Sequence, residues 1–115
     1  MEIQDREING CVVLDLYADW FGYPKTLVLK NHVMHLLKAG KTHLVLNLSH
    51  VEAIDSFGIA VIISILKQCR TENGNLTLFG LNDSVNKLIE ITRMDRVLDI
   101  WPTESQAVSH VRQAV

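Results

Sequence analysis

The stretch Ile54-Asp55-Ser56-Phe57-Gly58 sets a carboxylate, a hydroxyl, an aromatic ring and a glycine between two apolar runs. A short polar residue belongs at such a junction, because the first-turn N–H groups of a helix have no carbonyl partner inside it. Asp55 and Ser56 both fit as the N-cap. The Ser56 hydroxyl is poorly placed as a hydrolytic nucleophile, since its surroundings are not Gly-x-Ser-x-Gly and no base oriented by a third group stands beside it. His43 and His50 are distant in sequence. Phosphate acceptance suits the site better: the modification adds roughly 1.5 to 2 negative charges next to exposed helix N–H donors. Folding tolerates that charge, whereas a partner closing over the same spot, beside the already negative Asp55, does not. A penalty of ~3 kcal/mol weakens binding ~100-fold.

Two further features bear on recognition. Trp20, Phe21 and Tyr23 gather three of the seven aromatic residues into a four-residue window directly before a helix. Such residues favour interfaces and equally serve to plug the end of a sheet. In the run Ile59-Ala60-Val61-Ile62-Ile63-Ser64-Ile65-Leu66, the stripe Ile59, Ile62, Ile63 and Leu66 accounts for a core-facing side. Val61 and Ile65 are left on the flank, either as docking surface beside Gly58 and Phe57 or as packing under neighbouring elements.

Metal and redox chemistry find little footing. His32 and His35 share a helix face, but no Glu-x-x-His or Cys-x-x-Cys pattern accompanies them, so no metal site is expected. No glycine-rich phosphate loop follows a strand, and no cofactor is expected. Cys11 and Cys69 are far apart within apolar segments, as buried reduced thiols are.

The elements that must position these residues can be read in order. Asn9-Gly10 supplies the positive φ angles of a two-residue hairpin turn, and Val12, Leu14 and Leu16 alternate after it. Leu29, Val33, Leu36 and Leu37 mark an amphipathic helix over 26–39, closed by Gly40. His43 to Leu48 is nearly continuous in apolar character, as in a central strand, and a helix is expected over 57–71. Leu76 to Phe79 reads as a strand, Val85, Leu88, Ile89 and Thr92 as a helix stripe, and Val97 to Trp101 as a last strand. Thr103 and Gln106 form a capping-box pattern before Ala107, Val108, Val111 and Ala114. Strands alternating with helices imply an α/β domain over residues 1–115, with a mixed, mostly parallel sheet and about four α-helices. Parallel strands deliver their following loops to one edge, so residues 20–24, 49–56 and 80–82 are expected as neighbours.

Composition narrows the partners. With 48% hydrophobic and 21% charged residues the 115-residue chain is of ordinary globular type. A net charge of −2, with the signs interspersed, offers no field for a nucleic-acid backbone. No secretory signal pattern opens the chain and no apolar run approaches the ~20 residues of a membrane span, so a cytoplasmic protein without membrane insertion is expected.

Leu46 to Ile59, read as strand, loop and Asp-Ser-Phe-Gly-Ile, resembles the Asp-Ser-Ser/Thr-Gly-Leu-Gly pattern of STAS domains, particularly the bacterial anti-sigma factor antagonists. Gly74 to Leu78 and Leu88 to Asp95 extend the likeness over nearly the whole chain. The resemblance implies a non-catalytic partner switch. By that resemblance Ser56 is expected to be phosphorylated by an anti-sigma factor that is a serine kinase and restored by a PP2C-type phosphatase, with only the unphosphorylated domain, a monomer or weak dimer, expected to bind the kinase. Asp55, Phe57, Gly58, Val61, Trp20, Phe21 and Tyr23 are then the expected partner-binding residues around Ser56. Phe57 stands where the family has a second Ser/Thr, Ala60 where it has a second glycine, and Arg93 where a glycine is usual. Asp19-Trp20-Phe21-Gly22 replaces a common Gly-Glu-Leu-Asp. A serine followed by an aromatic is also similar to STAS scaffold proteins of bacterial stress complexes, which leaves the alternative of a non-catalytic subunit in a larger assembly, a stress scaffold or a lipid-transport complex.

Overall fold

The computed structural model describes residues 1–113. Asn9 and Gly10 turn with φ of 51° and 83°, so β1 (Glu2–Ile8) folds back antiparallel on β2 (Cys11–Phe21), as the Asn-Gly signal predicts. The chain continues as α1 (Lys25–Lys38), β3 (His43–Ile54), α2 (Ser56–Thr71), β4 (Asn75–Phe79), α3 (Asp83–Ile91), a short 3₁₀ turn (Met94–Arg96), β5 (Ile100–Trp101) and α4 (Glu104–Val111). The strands lie in the order β1-β2-β3-β4-β5, and every pair after the hairpin is parallel.

Strand alternation sorts the core into two layers. Val12, Leu14, Leu16, Leu44, Leu46, Leu76 and Leu78 face α1, α2 and α3, which contribute Leu29, Val33, Ile62, Ile65, Leu66, Val85 and Ile89. Their sequence neighbours Cys11, Val13, Val45 and Phe79 face α4 and meet Ala107, Val108 and Val111. Each fully buried aliphatic side chain here contributes roughly 1.5–3 kcal/mol relative to exposure. Ala114, expected on the same α4 stripe, lies outside the described residues. The Thr103 cap forms as expected, its hydroxyl accepting from the Gln106 N–H at 3.2 Å.

The structure corrects three boundaries. β2 reaches Phe21 and β3 reaches Ile54, so Trp20 and Phe21 are strand residues and Ser49 to Ile54 is not a loop. The register of β2 against β3 slips between Asp15 and Tyr17, which pair with Asn47 and His50. The extra residue on β3 breaks the two-residue period that would have revealed the strand. The third correction is β5, which shrinks to Ile100 and Trp101 because the 3₁₀ turn consumes the preceding residues; Val97 is exposed and only Leu98 enters the core.

A polar network crosses the α4 face at the register slip. Arg6 donates to both carboxylate oxygens of Asp15, at 2.7 and 2.9 Å, and to Glu104 of α4 at 2.5 Å. Asn47 donates its amide to Asp15 at 2.8 Å and accepts from the Ser49 N–H and hydroxyl at 3.0 and 2.6 Å. The hydrogen bond from Arg6 holds the Asp15 carboxyl below its ordinary range, against the opposing effect of burial. These bonds fix the strand that carries the chain up to residue 55. Cys11 and Cys69 are buried free thiols, and burial pushes Cys69 up to about 12.

Candidate functional site

Past the end of β4, β2 and β3 continue as a pair and end together at Phe21 and Ile54. Asp55 follows in extended conformation, its N–H donating to the Phe21 carbonyl at 3.3 Å. Of the two candidate caps it is Asp55 that closes α2: one carboxylate oxygen, Oδ1, accepts from the N–H groups of Phe57 at 2.9 Å and Gly58 at 3.0 Å. Ser56 becomes the first helical residue, exposed, with its hydroxyl left out of the cap. A helix cap and a free hydroxyl are thus divided between adjacent residues.

Two glycines make this junction possible. A Cβ on Gly58 would stand 2.4 Å from the Phe21 carbonyl oxygen and 2.6 Å from the Ile54 side chain. A Cβ on Gly22 would stand 2.3 Å from Asp55 Oδ2 and 2.5 Å from the Trp20 ring. Helix and strand therefore touch backbone to backbone, and the aspartate is seated against bare backbone. Sequence reading placed Gly58 at the site but not this reason for it, and did not single out Gly22 at all.

Two of the three segments expected as neighbouring loops do meet, although 49–54 is strand rather than loop. Asn82, at the end of the third, caps α3 through its side-chain Oδ1, which accepts from the Val85 N–H at 2.8 Å, and donates its amide to the Val51 and Glu52 carbonyls at 3.2 and 3.0 Å. It ties β3 to α3 where β4 has ended, a role its position after a strand only hinted at.

The expected contact residues separate by exposure. Phe57 is 65% exposed, Tyr23 60% and Trp20 43%, and the exposed Leu27 follows on α1. Phe21, in contrast, is fully buried and plugs the sheet end, and Gly58 is enclosed, so neither lies on the open surface. Val61 is half-buried against the main core, and Ile65 is fully buried rather than spare. Ser56 also lines a small apolar cavity of about 190 Å³, together with Ile59, Ala60, Ile63, Thr92 and Met94. Arg93 lies between the last two residues with φ 61°.

The remaining candidates do not converge on Ser56. His50 stacks on Tyr17 with ring centroids 4.6 Å apart, and His32 meets Asp5 at 2.8 Å. Among the described residues no group of three histidine, cysteine or acidic side chains could hold a metal ion, and no helix is long and apolar enough to cross a membrane.

The family model for the STAS domain matches residues 2–107. This chain belongs to the STAS domain family. A Thermotoga maritima protein assigned as an anti-sigma factor antagonist is 38% identical over 77 residues, covering 67% of this chain and 68% of that one. The crystal structure of a Thermotoga maritima protein with that assignment superposes with a TM-score of 0.83 at 29% identity, over 96% of this chain and 94% of the other. The Bacillus cell fate determinant SpoIIAA in its phosphorylated form shares the fold at 16% identity, with a TM-score of 0.70 over 96% of this chain and all of that chain. The STAS architecture expected from Leu46 to Ile59 is therefore present, and the chain's relatives are anti-sigma factor antagonists.

Proposed function

We propose that this STAS domain binds an anti-sigma factor through the edge around Ser56, and that phosphorylation of Ser56 by a serine kinase ends the binding. The carrying observation is the division of labour at the start of α2. Asp55 takes the free helix amides, so the Ser56 hydroxyl is exposed and chemically available without cost to the helix. The hydroxyl oxygen attacks the γ-phosphorus of ATP, its proton passes to a base of the kinase, and ADP leaves. Nothing in this chain need supply a catalytic group, and the domain acts by binding alone, in the cytoplasm, as a monomer or weak dimer. A PP2C-type phosphatase reverses the step. Support comes from the antagonist assignment of the relatives and from a phosphorylated protein of the same fold.

Phe57, Tyr23 and Trp20 form the exposed aromatic part of the contact surface, as large side chains do in binding hot spots. A phosphate close to Asp55 then opposes closure over this surface through like-charge repulsion and desolvation. The test is incubation with the anti-sigma kinase and ATP, followed by intact-mass measurement and calorimetric binding. The expected result is one added phosphate, absent in Ser56→Ala, with Ser56→Asp lowering affinity ~100-fold, equivalent to ~3 kcal/mol. A phosphate that persists in Ser56→Ala refutes the acceptor. A stable complex indifferent to Ser56→Asp refutes the switch and favours a fixed subunit of a larger assembly.

A further inference from the structure

We infer that the outer face of the α1–α2 pair is a cationic docking surface for an acidic patch of the anti-sigma factor, an inference that rests on the reading of that factor as the partner. Charges that alternate along the sequence are sorted by the fold. α1 carries Lys25, Lys30 and Lys38, α2 carries Lys67 and Arg70, and none of the thirteen acidic residues of the chain falls within either helix. The carboxylates bordering this layer are engaged elsewhere: Asp55 caps α2, Asp5 of β1 meets His32, and Glu7 of β1 accepts from Lys41. Glu72 lies beyond the far end of α2. Lys25, Lys38, Lys67 and Arg70 enter no ion pair among the described residues, and Lys30 donates to the neutral Ser64 hydroxyl.

The two helices present one surface. Leu27, Asn31 and Lys38 on α1, and Ala60, Lys67 and Thr71 on α2, recur at helical spacing and are exposed, while the Lys30–Ser64 bond joins the helices between these rows. Each helix follows a strand of the parallel pair β2–β3, so both run the same way and start at the edge that carries Tyr23 and Phe57. A partner closing over Ser56 therefore lies across their first turns. Lys67 is eleven residues on, about 16 Å of helix. That is within the reach of an ordinary interface of about 800 Å² per partner. Tyr23, Leu27 and Phe57 then supply its apolar centre and the cations its rim, the arrangement usual between proteins. An acidic partner also accounts for the sign of the switch. A phosphate on Ser56 subtracts from the field that draws an acidic surface in, whereas it would draw a basic surface closer.

The test measures association with the anti-sigma factor by stopped flow, at low ionic strength and in about 0.5 M salt. Lys38→Glu/Lys67→Glu is expected to slow association about tenfold at low ionic strength, with dissociation little changed and most of the difference removed by salt. Lys87→Glu/Arg112→Glu makes the same change in net charge on α3 and at the end of α4, and is expected to associate like the unaltered domain. Equal rates for the first pair and the unaltered domain overturn the inference, as does equal slowing by the second pair, which is an effect of net charge alone. Retention of the domain on phosphatidylserine vesicles at physiological salt assigns the face to a membrane and overturns it too. A titration with a synthetic amphipathic helix of leucine and glutamate, followed by ¹⁵N NMR, needs no anti-sigma factor. Shifts are expected at Asn31, Lys38, Ser64 and Lys67, and a peptide that moves none of them refutes the cationic face. If the anti-sigma factor fails to associate while the peptide seats on α1 and α2, the reading of the partner fails and the acid-binding face stands.

Discussion

Replacing Arg6 by methionine should uncouple the register slip of β3 from α4 and destabilise the domain by about 2 kcal/mol. Arg6 supplies two hydrogen bonds to Asp15, whose side chain is only 8% exposed, and two to Glu104, which is 37% exposed. Breaking a buried pair by removing one partner costs about 3–5 kcal/mol, because the other charge is left uncompensated. Arg6 itself is 39% exposed, so solvent screening takes away a large part, and the outer arm to Glu104 adds only ~0.5 kcal/mol. For a domain of this size ~2 kcal/mol lowers the melting temperature by about 10 °C. The pH dependence supplies a sharper check. Asp15 is held below its ordinary carboxyl range in the folded state, chiefly by the hydrogen bond from Arg6. Its contribution is therefore fully present above the unfolded value of about 3.9 and is lost as pH falls through the lower folded value. The gap in stability between Arg6→Met and the unaltered domain should be widest near neutral pH and close progressively in acid. Melting curves from pH 7 to pH 3, with Asp15→Asn and the double variant completing a cycle, measure it. An unchanged melting temperature at pH 7, or a gap that stays constant into acid, would refute the account.

Gly58→Ala should cost about 1–3 kcal/mol in chemical denaturation, since the added methyl meets the Phe21 carbonyl and forces α2 away from the sheet. A variant as stable as the parent would contradict the close approach. Phe57→Ala should leave stability within about 0.5 kcal/mol, as the ring is largely exposed, yet weaken anti-sigma factor binding tenfold or more. Unaltered affinity would remove Phe57 from the contact surface.

How far these features could be read in advance depended on how local their causes are. The hairpin, the α4 cap and the amphipathic helices rest on side chains acting within a few residues of themselves, and each was legible. The length of β3 was not: its course depends on an extra residue opposite β2 and on Asn82, thirty residues onward, holding the Val51 and Glu52 carbonyls. Phe21 shows the same limit. Its neighbours Trp20 and Tyr23 are exposed while it is buried, and only the path of β2 past Asp19 separates them. The 3₁₀ turn that displaced the start of β5 depends on Arg93 adopting a backbone conformation its type does not favour.

The way the junction is built constrains how a switch there can operate. Asp55 is bonded to two helix amides and its N–H to the end of β2, while Gly22 and Gly58 admit no displacement that would bring in side-chain bulk. A phosphate on Ser56 cannot displace Asp55 without exchanging one anion for another at the same donors, which gains little. Under the proposed switch, a phosphate on Ser56 would therefore be read at the surface, by what approaches Ser56, and not through rearrangement of the helix start. Sensitivity then lies in the side chains around the hydroxyl. The exposed Phe57 ring and the side chains that line the cavity beside Ser56 take no part in the Asp55 cap, so substitutions there leave its hydrogen bonds in place.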